Sequence, residues 1–234
     1  MCGRYLLDVP GASIATMLGA IDRTAGFSPN FNVAPTTELP VLGVNPASGE
    51  RSLLLMKWGL VPAWAAARAA DGGKPLPPQI NARAETVAEK PMFRNAFLRH
   101  RCAVPVSGFY EWHRPEDGQP KTPYLIRQRD VPISLLAGIY ESWTDSATGE
   151  RHLSFAMLTC ASNAAVDPIH HRMPVYLNGE DDVEAWLTAS ADDAPGLLAL
   201  ATACPAEQIE SWVVSTRVNS VRNNDATLIE PVAA

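Results

Sequence analysis

Apolar and polar positions along the 234 residues alternate between two periods. After Pro10, "GASIATMLGAI" spaces Ile14, Met17, Leu18 and Ile21 three or four apart, which predicts a short helix with those residues along one side. "ELPVLGV" and "RSLLLMKWGL" flank the turn-forming "NPASGE" and predict a hairpin. Three further runs, "CAVPVSGFYEWHR", "ISLLAGIYESW" and "RHLSFAMLTC", predict strands, with "PEDGQPK" and "TDSATGE" as turn-rich connectors. Helical spacing returns in "KPMFRNAFLRH" and in "GEDDVEAWLTAS", whose acidic first turn suits the helix dipole, and "IESWVVS" reads as a late strand. "AAARAADGGKPLPPQ" is rich in Ala, Gly and Pro and reads as a mobile surface loop. The motifs on its two sides, "WGLVPAW" and "NARAET", look like parts of one site, so the loop is not taken as a domain linker. The expected architecture is a single α+β domain over 1–234, mostly antiparallel β-sheet curled toward a barrel, with peripheral helices.

Composition narrows the classes. With 47% apolar and 19% charged residues, the chain can build one large core or two small ones. No apolar run reaches membrane-spanning length and no signal-peptide pattern opens the chain, so a cytoplasmic protein is expected. The four cysteines are far apart and form no C-x-x-C, and no histidine pair has helical metal spacing. Neither a metal site nor a cofactor is expected. Cys102 and Cys160 lie in apolar runs as core fillers, and Cys204 beside Pro205 reads as inert. The formal net charge of −6 argues against a protein that coats nucleic acid without specificity. It leaves room for a local basic cleft, since Arg4, Arg83, Arg94 and Arg172 lie in or near the polar motifs.

Those motifs offer chemistry, each beside a plainer reading. Cys2 follows Met1 directly; once Met1 is removed, its amine and thiol form a 1,2-aminothiol, which no internal cysteine can offer. A small exposed residue without function is the alternative. "NARAET" puts Asn81, Arg83 and Glu85 on one face if extended, either as a site or as a backbone-bonding Asn and a solvated Arg83–Glu85 pair. Glu111 in "GFYEWH" alternates with Phe109 and Ser107, so it is a partly buried carboxylate, either catalytic or salt-bridged to an arginine. His170 in "DPIHHRMPV" is catalytic, or a core or capping histidine, and on an extended strand His171 would point the other way. Trp58 and Trp64 are core residues or stacking platforms, and "FNVAPT" ends a loop with Asn32 and Thr36. Jointly these supply a thiol, a carboxyl, an imidazole and an amide, the groups that acyl or carbonyl chemistry needs.

"MCGRY", "FNVAPT", "WGLVPAW", "NARAET", "VPVSGFYEW", "IHHRMPV" and "VNSVRNNDATLIEP", in this order, resemble the SRAP family, the SOS response-associated peptidases or abasic-site processing proteins. The resemblance runs from Met1 to about Pro231 and departs mainly in the Ala/Pro-rich loop after Trp64. It implies removal of Met1, a catalytic Cys2 with Asn81, Glu111 and His170 as partners, and single-stranded DNA containing abasic sites as ligand. On that basis Arg4, Arg83 and Arg172 are expected at phosphates, and Trp58 or Trp64 against a base, with Thr36 also at the DNA. The expected product is a Schiff base closing to a thiazolidine, with an autopeptidase activity that removes residues before Cys2. A monomer is expected. Two other classes compete: a thiol protease, which needs a Cys–His pair and no free amine, and a non-catalytic single-strand-binding module.

Overall fold

The computed structural model describes residues 2–115, 118–145 and 147–232. Glu116 and Asp117 of the first predicted connector, Ser146 of the second, and Met1 lie outside the described residues. In chain order the first strands are β1 (Tyr5–Leu7), β2 (Ile21–Arg23), β3 (Asn30–Val33), β4 (Glu38–Val44), β5 (Arg51–Trp58), β6 (Asn81–Arg83) and β7 (Arg101–Val106). They continue with β8 (Gly108–His113), β9 (Thr122–Gln128), β10 (Ser134–Thr144), β11 (Arg151–Ala161), β12 (Arg172–Pro174), β13 (Tyr176–Leu177) and β14 (Ile209–Val213). The helices are α1 (Gly11–Met17), α2 (Ala63–Ala70), α3 (Arg94–Arg99), α4 (Glu180–Thr188) and α5 (Ala194–Leu200).

The predicted hairpin forms as β4 and β5, paired antiparallel from Glu38↔Lys57 to Val44↔Arg51. β4 also meets β7 at Leu42↔Ala103, β7 pairs β10, and β10 pairs β11 along most of its length. A parallel pairing of β11 with β5, at Ser154↔Lys57 and Phe155↔Trp58, returns to the starting hairpin and closes the sheet on itself. Closure removes sheet edges and encloses Val41, Leu53, Leu136 and Met157 in one core. At the closing seam Gly59 N–H donates to Phe155 O at 2.8 Å. Gly59 has φ +134°, and a Cβ there would stand 2.7 Å from Pro78 Cβ, so only glycine fits.

A second, open antiparallel sheet has the order β14-β9-β8-β1-β3. The chain passes from barrel to second sheet between β7 and β8, so the single predicted strand "CAVPVSGFYEWHR" is two strands in different sheets. Ser107 makes the corner: its N–H donates to Leu6 O at 2.9 Å. Gly108 is required there because a Cβ would come within 3.0 Å of Ile126 O. β7 is buried along its whole length because α3 and α4 cover its outer side. That explains why "RCAVPV" shows an unbroken apolar run and no alternation. Arg101 ties the two helices to the strand, donating to Phe97 O and Leu98 O of α3 and to Trp186 O and Ala189 O at the end of α4.

Three local expectations are corrected. α1 ends at Met17, where Gly19 at φ +58° lets Ala20 N–H close on Ala15 O, a glycine-terminated helix end. Ile14 and Ala15 therefore face the core, Met17 is 57% exposed, and Ile21 belongs to β2. The predicted loop after Trp64 begins as helix α2, since its Ala-rich start favours helix before the Gly and Pro residues end it. β9, "TPYLIRQ", was not predicted; its Pro123 and charged flanks hide a strand that is half-buried between β8 and β14. Among the described residues no helix is long and apolar enough to cross a membrane.

Candidate active site

Three elements bring the chemistry together. β6 lies parallel to β11, with Asn81↔Met157 and Thr159↔Arg83 in register, and this holds "NARAET" at the upper end of the barrel. Asn81 Nδ2 donates to Cys2 O at 2.7 Å and so fixes the first residues of the chain over the barrel. Cys2 is 1% exposed, and its Sγ lies 3.8 Å from Arg4 O. Burial, reinforced by the nearby charge of Glu111, raises the Cys2 thiol far above its ordinary range, so the resting sulfur is protonated.

Glu111 comes from β8 and is buried, as its alternation with Phe109 implied. Together with Trp112, His113 and Arg114 it forms one wall of a cleft of about 1180 Å³. The turn carrying Pro168, Ile169, His170 and His171 forms the facing wall. Arg172 N–H donates to His170 Nδ1 at 3.0 Å. Arg172 O lies 3.2 Å from the same nitrogen, so the Arg172 backbone fixes the ring through Nδ1 in either tautomer. Burial holds the His170 pKa below its ordinary value, with the Glu111 charge opposing. His170 thus lines the cleft as a largely neutral imidazole near pH 7. The two histidines do not diverge as on a strand: their rings stack, 4.4 Å apart and 20° from parallel, because the turn precedes β12.

The other expected residues divide by position. Glu85 does not pair with Arg83. Its carboxylate forks onto Arg172, Nη1–Oε1 2.5 Å and Nη2–Oε2 2.9 Å, and this holds the Glu85 pKa below the usual range. Arg172 is buried, and Nη2 also donates to Thr159 O. Its guanidinium is held by these protein partners, at the surface where Glu85 is half exposed. Arg83 is exposed on the same face. Trp58 is wholly buried, its Nε1 bonded to Ile80 O at 2.9 Å and its ring against Tyr5, so it is a core residue and not a stacking platform. Trp64 on α2 is 48% exposed. Thr36 is exposed with φ +72°, its N–H bonded to Trp58 O. Arg4 donates to Asn32 Oδ1 at 2.6 Å and Val218 O at 2.8 Å, and stands 5.9 Å from the Trp112 ring centre.

Sequence reasoning missed Trp112, His113, Arg114 and Lys121, which also line the cleft. The period of two was the available signal for His113, which shares a face with Glu111. Among the described residues no group of three or more His, Cys, Asp or Glu could hold a metal ion.

The family profile of the SOS response associated peptidases (SRAP) matches residues 1–221. The chain is 36% identical over 233 residues to the Bacillus subtilis abasic site processing protein YoqW, covering 98% of this chain and 99% of that one. It is 30% identical to the abasic site processing protein HMCES of Gallus gallus, over 99% of this chain and 78% of that one. A crystal structure from Bacteroides thetaiotaomicron superposes with TM-score 0.84 at 28% identity, covering 99% of this chain and 100% of that one. This chain belongs to the SOS response associated peptidase (SRAP) family.

Proposed function

We propose that this protein processes abasic sites in single-stranded DNA by linking Cys2 covalently to the lesion. The observation that carries the reading is Asn81 holding the Cys2 carbonyl at 2.7 Å beside Glu111 and His170, which line one cleft. The abasic site processing relatives named above support the substrate.

Removal of Met1 exposes the Cys2 amine. An α-amine has a pKa of about 7.7–8.0, so a useful fraction is neutral near pH 7. The amine attacks the aldehyde carbon of the ring-opened deoxyribose, water leaves, and an imine forms. The protonated resting sulfur sets this order: nitrogen first, sulfur second. The sulfur then adds to the imine carbon while its proton passes, by way of Glu111, to the nitrogen. The product is a five-membered thiazolidine, and one water is released per adduct. Holding both groups on one residue supplies the high effective concentration that ring closure needs. Glu111 moves protons in these steps and in their reversal. His170, in the wall of the cleft, donates to the sugar oxygen and favours ring opening. Arg83, Arg114 and Lys121 give the acidic body a local basic rim for phosphates. Release of Met1 is a separate peptide hydrolysis that comes first, since the Cys2 nitrogen is an amide until that bond is cleaved by water. A thiol protease is disfavoured, since it needs a lowered thiol pKa and Cys2 is driven upward.

The test is a denaturing gel of the protein mixed with single strands that carry one abasic site or none. A shifted band should form with the abasic strand alone and disappear with Cys2→Ala. A band that survives Cys2→Ala would remove the proposal.

A further inference from the structure

Two tyrosine hydroxyls in the core that also contains Cys2 have no hydrogen-bond partner among the described residues. Tyr5 and Tyr176 are 0% and 1% exposed, and neither Oη is bonded. Their surroundings locate them. The Tyr5 ring lies 5.1 Å from Trp58, whose Nε1 is bonded to Ile80 O, and the next residue, Asn81, holds Cys2. Tyr176 follows Val175, whose N–H donates to Leu158 O, and Leu158 is in register with Ala82 beside Asn81. Burial raises the pKa of both hydroxyls well above the ordinary value, and the Cys2 charge acts on each in the same direction, with Cys204 adding to it at Tyr176.

An unbonded hydroxyl in an apolar interior is destabilising, whereas phenylalanine in the same space loses nothing. Such hydroxyls therefore suit a charge that is absent in the resting molecule. The Cys2 sulfur supplies it: protonated at rest, it must carry negative charge as it attacks. Glu111 makes that charge harder to form, while the terminal amine eases it to a smaller extent. The donors already in place are the two phenols, while Asn81 Oδ1, buried and also unbonded, is an acceptor suited to an N–H.

We propose that Tyr5 and Tyr176 are positioning residues for Cys2, holding hydroxyl donors in reserve that turn to the sulfur as it loses its proton. Donors placed in advance where charge develops cost no reorganisation during the reaction. This rests on Cys2 being the reacting residue of the proposed function. The ionisable groups around the sulfur are the terminal amine, Glu111 on β8, His170 on the facing wall, Tyr5 on β1, and Tyr176 on β13 with Cys204 beyond it.

The experiment is alkylation of the full chain by iodoacetamide across pH 6–10, followed by mass spectrometry of the peptide that carries Cys2. A sulfur–carbon bond forms, iodide leaves and the thiol proton passes to solvent, so the rate follows the thiolate without any DNA. Tyr5→Phe and Tyr176→Phe should each slow the reaction roughly tenfold at every pH in this range, the effect of a thiol pKa about one unit higher. Their melting temperatures should be equal to or above that of the unsubstituted protein. An unchanged rate in both variants overturns the proposal. So does a lowered melting temperature, which would mean that the hydroxyl was already bonded, or a Cys2 that stays unreactive throughout in the unsubstituted protein. Crosslinking to an abasic strand, assayed on the same samples, keeps the two readings apart. Slowed alkylation in the variants without crosslinking by the unsubstituted protein would sink the proposed function alone, and crosslinking with unslowed alkylation would sink this inference alone.

Discussion

At the scale of single residues, the site pairs groups by what each can accept or donate. Glu111 and Glu85 are both carboxylates near an arginine-bearing motif, yet the structure gives them different work. Arg172 takes Glu85, which leaves Glu111 facing the cleft. Glu111→Gln keeps shape but cannot exchange a proton. Crosslinking or its reversal should slow by ~10²–10⁴-fold with little change in melting temperature. A variant that melts early and crosslinks normally per folded molecule would remove Glu111 from the mechanism. Glu85→Gln should do the reverse, lowering the melting temperature by uncovering the buried Arg172. The loss should fall short of the ~3–5 kcal/mol of a fully buried pair, because the Glu85 side chain is 51% exposed. Its lowered pKa fixes the sign: the contribution is present above the unfolded value of about 4.3 and fades as pH falls through the folded one.

At the scale of elements, β7 with α3 and α4 forms the structural back of the barrel. Trp186 of α4 is wholly buried, its Nε1 shared between Cys102 O and Gly138 O, and its backbone carbonyl accepts from Arg101. Trp186→Ala should cost ~3–5 kcal/mol, read as a shift of the urea midpoint. The expected outcome includes intact crosslinking by the fraction that remains folded, since α4 lies on β7 and β13 and supplies no residue of the cleft. These elements were readable from sequence because helix spacing and strand runs mark which side is apolar. β9 and the break at Ser107 were not readable. A corner between two sheets looks, in one dimension, like a strand that continues.

At the scale of the whole molecule, a formal charge of −6 coexists with a cleft bearing Arg114 and Lys121. Binding to single strands should therefore weaken as salt rises. Arg83→Ala should lower the slope of log K against log salt by about one phosphate's share, for intact and abasic strands alike. An unchanged slope would take Arg83 out of the phosphate contacts. Acid should loosen the fold. Burial holds His100 and His170 below the ordinary histidine pKa, at His100 with Arg99 and Arg101 adding to the effect. The unfolded chain thus takes up these protons first as pH falls below about 6.5, and the folded state loses stability there. The melting temperature should drop between pH 7.5 and 5.5, and less so in His100→Gln.

The periods in the sequence were enough to determine the β4–β5 hairpin, β10, β11, α3 and α4, and the spacing of Glu111 with Phe109 was enough to bury it. The motifs carrying Cys2, Asn81, Glu111 and His170 were visible because polar residues stand where an apolar run does not need them. Only the tertiary structure decided that β5 and β11 pair in parallel to close the barrel. It also decided that Glu85 finds Arg172, 87 residues away, and that Trp58 is buried while Trp64 is exposed. The physical reason is common to all three. Local spacing states which face of an element avoids water, but the surface that covers that face, and the charge that meets a side chain there, come from distant strands brought together by closure.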